Sequence, residues 1–270
     1  MALSQIADHV AGWIEASIRA AAPGHVPLLF MSGPQGSGKS TALAAAIEAL
    51  DESVVGTGLD DFYLRHAERM ELARKVSPLF LTRGPPGTHD LLLLGQTVAA
   101  LRGAGPEDVT PLPVFDKLKD DRAPVPKWRE FTGRPRAIVI EGWLMGATPD
   151  PDSPMSEPLN PTEATDRTGH WRQHQEDALA EGYARLWDLG DGLLHVIPPD
   201  FDCVRAWRLQ QEESLWQDKG EPMPDDRRAW VGRFIEHYER LTRRMIAGQR
   251  RPGAEVYVAA DRSVIRTSGC

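Results

Sequence analysis

Cysteine is nearly missing from this 270-residue chain: Cys203 and Cys270 are the only two, and neither sits in a C-x-x-C pair. A disulfide framework is thereby excluded, and a reducing compartment, the cytoplasm, is expected. No apolar run approaches the roughly 20 residues of a membrane span. The first residues lack the basic, apolar and small-residue order of a secretion signal. Positive charge is in short supply as well. Thirty-one Lys and Arg face 39 Asp and Glu, a formal charge of -8, which argues against nucleic acid and anionic membrane as partners. No internal repeat is visible, so solenoid architectures drop out. What remains, at 41% hydrophobic and 26% charged residues, is the composition of a folded globular protein. One large α/β domain over residues 1–270 is expected.

The stretch Gly33-Pro34-Gln35-Gly36-Ser37-Gly38-Lys39-Ser40 fits G-x-x-x-x-G-K-[ST] without a mismatch. An apolar run, 26–31, precedes it as a buried strand, and an Ala- and Leu-rich segment, 39–50, follows as a helix. Strand, glycine loop and helix are the context in which backbone N–H groups converge on a phosphate at the positive end of a helix. Residues Gly33 to Thr41 are therefore expected to cradle ATP. Lys39 would reach the β- and γ-phosphates, and the Ser40 hydroxyl would ligate Mg²⁺. ATP over GTP is not decided by the motif.

Residues 53–59 read as a second strand delivering Asp60-Asp61-Phe62-Tyr63 to the same mouth, since strand carboxyl ends face the ligand crevice of a parallel sheet. Asp60 is expected to accept the proton of an attacking hydroxyl, to approach Mg²⁺, or both. Asp61 is a second candidate, whereas Phe62 and Tyr63 read first as packing. A third strand, 136–143, ends in Glu141, where a carboxylate contacting Mg²⁺ or its water belongs. Between these, the loop 82–90 carries Arg83, His89 and Asp90, suited to hold an acceptor or to pin itself, with Thr88 or Asp90 capping a helix over 91–101. A short extended segment leads into the charge run 119–122, which reads as a solvated face.

At the chain's start, Ile6, Val10, Trp13, Ile14 and Ile18 predict an amphipathic helix within residues 1–22. Residues 148–168, rich in Pro, Asp, Ser and Glu, read as an exposed insertion of disorder-prone composition at the site's edge. Helices are expected over 171–187 and 201–217, a fourth strand over 192–197, and one long helix from 224 with Trp230, Phe234, Ile235, Tyr238, Leu241 and Met245 along a buried face. The 201–248 region reads as a helical lid. In it, Arg205 and Arg208 could stabilise the transferring phosphoryl group or simply pair with Asp202 and Glu212. Two terminal strands, 255–259 and 263–266, complete the chain.

Together these stretches resemble the D-glycerate 3-kinase-like family of P-loop kinases, related more distantly to phosphoribulokinase, uridine kinase and pantothenate kinase. The residues that carry the resemblance, from about Leu28 to Met245, are Ser32 to Thr41, Leu59 to Leu64, Arg83-Gly84 with Pro86-Gly87-Thr88-His89-Asp90, Phe115-Asp116-Lys117, Asp121-Arg122, Glu141-Gly142-Trp143 and Trp207 to Glu212. It implies a doubly wound, mostly parallel sheet with helices on both faces and ATP-dependent phosphorylation of a small hydroxyl acceptor, D-glycerate first. It also implies Asp60 as base, with Arg83, His89, Asp90, Asp116 and Lys117 bordering the acceptor. From the motifs themselves, Lys39, Glu141 and Arg208 are expected in catalysis, Arg205 near the nucleotide, and Mg²⁺ on Ser40, Asp60 and Glu141. The acceptor would lie among Asp61, Tyr63, Arg83, His89, Asp90, Asp116, Lys117 and Arg122. The family's F-D-K-S, glycine-containing spacer and G-D-R are shortened here: Leu118 replaces the Ser, and Asp121-Arg122 follows after only three residues. Another sugar acid, a polyol or a nucleoside is the in-class alternative, and a nucleotide-dependent switch the alternative outside it. Monomer and homodimer are both open.

Overall fold

The computed structural model describes residues 2–50 and 53–269; Cys270 lies outside them. Helix α1 (Ala2–Ala20) precedes strand β1 (Leu28–Ser32), the phosphate-loop turn and α2 (Lys39–Ala49). Strand β2 (Val54–Gly58) runs into a 3₁₀ turn, Leu59–Phe62, then α3 (His66–Lys75) and α4 (Leu91–Gly103). Four short strands follow: β3 (Val109–Leu112), β4 (Phe115–Asp116), β5 (Asp121–Arg122) and β6 (Arg129–Thr132). After β7 (Ala137–Gly142) come α5 (Pro161–Ala164), α6 (His170–Ala178), α7 (Ala184–Asp188) and β8 (Gly192–Ile197). The chain closes with α8 (Phe201–Gln217), α9 (Asp225–Glu236), α10 (Glu239–Ile246), β9 (Ala254–Val258) and β10 (Val264–Ser268).

The main sheet has the order β10-β9-β8-β1-β7-β2. Its strands are parallel except β10, which runs antiparallel along β9. Leu28 to Met31 and Ala137 to Ile140 are fully buried, as strands read when helices cover both faces of a parallel sheet. The chain fills one flank with β2 and β7 and the other with β8 and β9. The order therefore reverses at β1, and the crevice opens at the carboxyl end of that strand. Helix α1 lays Ile6, Val10, Trp13 and Ile14 into the same core, and its Leu3 reaches the start of α2.

Three expectations change. Residues 148–168 expose most of their positions, as expected, but are anchored by a buried minority, Ser153, Pro154, Asn160, Thr162, Glu163 and Asp166. Their polar atoms are met from outside the segment, Arg240 on Glu163 at 2.6 Å and Arg172 on Asp166 at 3.1 Å. A polar composition can thus be packed when guanidinium groups arrive to pair it. The long helix from 224 is two helices, broken at His237-Tyr238, and Trp230 stays partly exposed, stacked on Phe234 at 5.0 Å. The helix over 171–187 widens into a π-helical turn at Leu179–Tyr183. That extra residue per turn aims the Tyr183 hydroxyl at the 83–90 loop. The β3–β6 hairpin was not foreseen; it lies beside the edge strand β2, bonded to it by Arg129.

Candidate active site

The phosphate loop leaves β1 at Gly33, whose N–H donates to the Gly142 carbonyl on β7. Gly36 and Gly38 have φ of +74° and +86°, the left-handed region that a side chain resists. A Cβ at Gly36 would also strike Trp207 of α8, so the loop is closed over by the helix that follows β8. The buried Ser37 Oγ and Gln35 Oε1 have no hydrogen-bond partner among the described residues. With the free N–H groups of the first turn of α2, where Lys39, Ser40 and the exposed Thr41 sit, they leave an unsatisfied cradle of the kind that fits a polyphosphate.

Glu141 occupies the strand between β1 and β2, in register with Met31 on one side and Gly58 on the other. Its Oε1 accepts from the Ser40 hydroxyl at 2.6 Å, and Oε2 lies 3.5 Å from Lys39 Nζ. One residue past β2, the 3₁₀ turn presents Asp60 and Asp61 in opposite directions. Asp61 turns back and accepts the Phe115 N–H at 3.2 Å, tying β4 to the turn. Burial raises its pKa, and that bond only partly offsets the shift. Asp60 faces the mouth: Oδ1 accepts from the Tyr63 hydroxyl at 2.6 Å, and Oδ2 lies 3.0 Å from Lys117 Nζ. Burial would raise the Asp60 pKa, but Lys117, the Tyr63 hydroxyl and Lys39 outweigh it and hold the carboxyl at about 2. Asp60 is ionised at any physiological pH.

Behind Asp60 stands a layer of aromatic rings. Tyr63 stacks on His89 at 4.7 Å between ring centroids, and His89 Nδ1 accepts from the Tyr183 hydroxyl at 2.5 Å. Burial pushes the His89 imidazole down to about 4, with Asp60 only partly opposing, so the ring is neutral at pH 7. Its Nε2 is buried without a partner among the described residues. The 83–90 loop is held from within by Thr88, whose hydroxyl accepts from Gly84 N–H and donates to the Pro85 carbonyl. From outside, the Trp143 indole N–H donates to the Gly84 carbonyl and the Tyr238 hydroxyl to that of Arg83.

The expected acceptor residues divide accordingly. Lys117 and Tyr63 meet on Asp60, and Arg83 points its guanidinium over the Phe115 ring, whose edge abuts Tyr63. Asp90, not Thr88, caps α4, accepting from Leu93 N–H at 2.9 Å, and pairs with Arg122. Arg122 is buried, bonded also to the Tyr63 carbonyl. Asp116 accepts the N–H groups of Leu118 and Lys119, closing its own turn. These three shape the wall rather than line it. On α8, Arg205 pairs with Glu239, not Asp202, at 3.0 Å, and Arg208 with Glu212 at 2.9 Å. Sequence reasoning missed Asp120, Arg69, Tyr183 and Tyr238. Asp120 was hidden in a charge run, and the tyrosines carried the same spacing as any core aromatic.

A cradle after the central strand, with carboxylates at the ends of the next two strands on one flank, β7 and β2, is the arrangement of a P-loop phosphotransferase. No protein-family model matches the chain. Individual proteins do. A kinase of Schizosaccharomyces pombe, mug58, itself uncharacterized, is 34% identical over 226 residues, covering 78% of each chain. The chloroplastic D-glycerate 3-kinase of Arabidopsis thaliana is 30% identical over 221 residues, 77% of this chain and 46% of that protein. Among solved structures, the D-glycerate 3-kinase of Cryptococcus neoformans superposes with a TM-score of 0.78 at 26% identity, covering 98% of this chain and 99% of the other. The chain belongs to the D-glycerate 3-kinase-like family of ATP-dependent P-loop kinases. Among the described residues no helix is long and apolar enough to cross a membrane.

Proposed function

We propose that the protein transfers the γ-phosphoryl group of MgATP to a hydroxyl of a small acceptor, with D-glycerate the first candidate because two relatives bear that name. The observation that carries this reading is the convergence of the Lys39-Ser40 cradle, Glu141 and Asp60 at the ends of β1, β7 and β2. Residues 33–41 hold the triphosphate, and Lys39 is drawn from Glu141 to the β- and γ-phosphates. The acceptor hydroxyl lies against Asp60, which receives its proton. As a hydroxyl proton moves to a carboxylate of such low basicity, transfer comes late, and most of the rate comes from placement and charge neutralisation.

Ser40 and Glu141 fit a divalent cation, a hydroxyl and a carboxylate already 2.6 Å apart with phosphate oxygens left to complete the shell. Mg²⁺ held there would neutralise charge on the β- and γ-oxygens. Lys117 and Arg83 border the acceptor. Arg208 and Arg205 reach the phosphates only by leaving Glu212 and Glu239, which assigns them to a closed state of the α8–α10 region. A small metabolite as sole substrate partner, and a cytoplasmic setting, belong to the same reading.

The test is MgATP turnover against a panel of hydroxy acids, polyols, sugars and nucleosides, with Lys39→Ala and Asp60→Asn run beside the parent to expose contaminating kinases. D-glycerate-dependent ADP release lost in both variants is the expected result. Tight ATP binding without acceptor-dependent turnover would sink the proposal in favour of a nucleotide switch.

A further inference from the structure

The carboxylate of Asp120 is turned inward onto the guanidinium groups beside the proposed acceptor site. Its Oδ1 lies 2.5 Å from Arg83 NH1, and its Oδ2 lies 2.8 Å from Arg69 NH2 and 3.3 Å from His66 Nδ1. The backbone helps it get there: Asp120 has φ of +53°, a conformation that few residues other than Gly, Asn and Asp accept. The residue is thus built into a tight turn with its side chain committed to the arginines.

The two arginines are not equivalent. Arg69 is 1% exposed and has three carbonyls besides the carboxylate, those of Leu64, Leu81 and Asp120 itself. Arg83 keeps 22% of its side chain exposed, on the wall of a cavity of about 760 Å³ shared with Thr82, Asp120, Phe234 and His237. Through Phe115 and Tyr63 it is coupled to Asp60, where the phosphoryl group would be received. Two further cations near Asp60 are paired as well, Lys117 with Asp60 itself and Arg122 with Asp90, while Arg233 also lines the cavity beside Arg83. Arg83, Lys117 and Arg122 thus each already hold a carboxylate, and an anionic acceptor approaching Arg83 meets Asp120 first.

Resting on the kinase reading above, we propose that Asp120 determines which acceptor charge the site accepts. Its carboxylate already occupies the anion position on Arg83, so an acceptor that carries a carboxylate must compete with it, whereas an uncharged polyol need not. Two carboxylates on one guanidinium repel across a few ångströms, a juxtaposition that discriminates against the charged acceptor.

Asp120→Asn separates this from a structural role. Asn has the same shape, tolerates positive φ, and leaves Arg69 its three carbonyls, so the variant should fold, with a lowered melting temperature because the buried Arg69 loses its charged partner. KM and kcat are measured with D-glycerate and with glycerol, which shares the primary hydroxyl and lacks the charge, in the parent, Asp120→Asn and Asp120→Glu. Binding of each to the protein loaded with a non-hydrolysable ATP analogue is measured by calorimetry. The expected result is a D-glycerate KM or Kd about tenfold or more lower in Asp120→Asn, with kcat and the glycerol values within about twofold, and a return toward the parent in Asp120→Glu. Equal effects on both acceptors, or none on D-glycerate, would overturn it. Loss of turnover with every acceptor would instead count against the kinase reading, and the binding arm would still decide the role of Asp120.

Discussion

The nucleotide half and the acceptor half of the mouth are made by different means. The first is backbone: left-handed glycines, free N–H groups at the start of α2, and one hydroxyl and one ammonium from adjacent residues. The second is side chains borrowed from far apart: Asp60, Arg83, Lys117 with Asp120, Tyr183 and Tyr238 come from five stretches and are set by mutual ion pairs and hydroxyl bonds. A backbone cradle serves any triphosphate and tolerates change around it. A side-chain cluster can be retuned by one substitution, which is where kinases of one fold can part company in substrate.

The sharpest way to break that comparison is Asp60→Asn. Activity should fall about 10²–10⁴-fold, the range for losing a positioned acid–base group, while the ATP Kd from calorimetry stays within a few-fold. A comparable loss of ATP affinity would mean that the halves are not separable. Next in size is Arg240→Ala, which strands the 1%-exposed Glu163 carboxylate in the anchored 148–168 segment. Removing one partner of such a pair should cost about 3–5 kcal/mol by denaturant unfolding. A loss under about 1 kcal/mol would mean that the buried pair does not anchor that segment.

His89 supplies the third. Its folded pKa of about 4 lies below the ordinary 6.5, so the folded state binds its proton less readily than the unfolded one. The stability it contributes is complete above about pH 6.5 and declines as pH falls toward 4, by about 2 kcal/mol at pH 5. Thermal unfolding of the parent and of His89→Gln across pH 5–8 checks this: the acid-side slope should shrink in the variant. Tyr63→Phe is the smallest effect. Losing the hydroxyl bonded to Asp60 lets that carboxyl rise from about 2. Turnover should then drop only several-fold at neutral pH, with the acid limb of the pH–rate profile displaced to higher pH. An unmoved limb would detach Tyr63 from Asp60.

Much of the site was legible for local reasons. Glycine spacing, the Lys-Ser pair and the flanking apolar strand lie within fifteen residues, and Asp60 and Glu141 each end a buried strand, so strand polarity alone puts them at the mouth. Asp116 and Arg122 carried the right motif but serve their own turn and the Asp90 cap, a distinction that motif spacing does not encode. In the 148–168 segment the exposure was legible and the anchoring was not, because composition reports what a stretch can bury alone. It cannot report the arginines that α6 and α10 bring to it.

The amino-acid order by itself determined the main strands, the phosphate cradle, and the two strand-end carboxylates, because each depends on residues within a few positions and on backbone preferences. Tertiary structure alone decided which cations remain free to meet an acceptor. Ion pairing is a matter of distance in space, and Asp120 finds Arg83, thirty-seven residues away in sequence, only after the turn at φ +53° has formed.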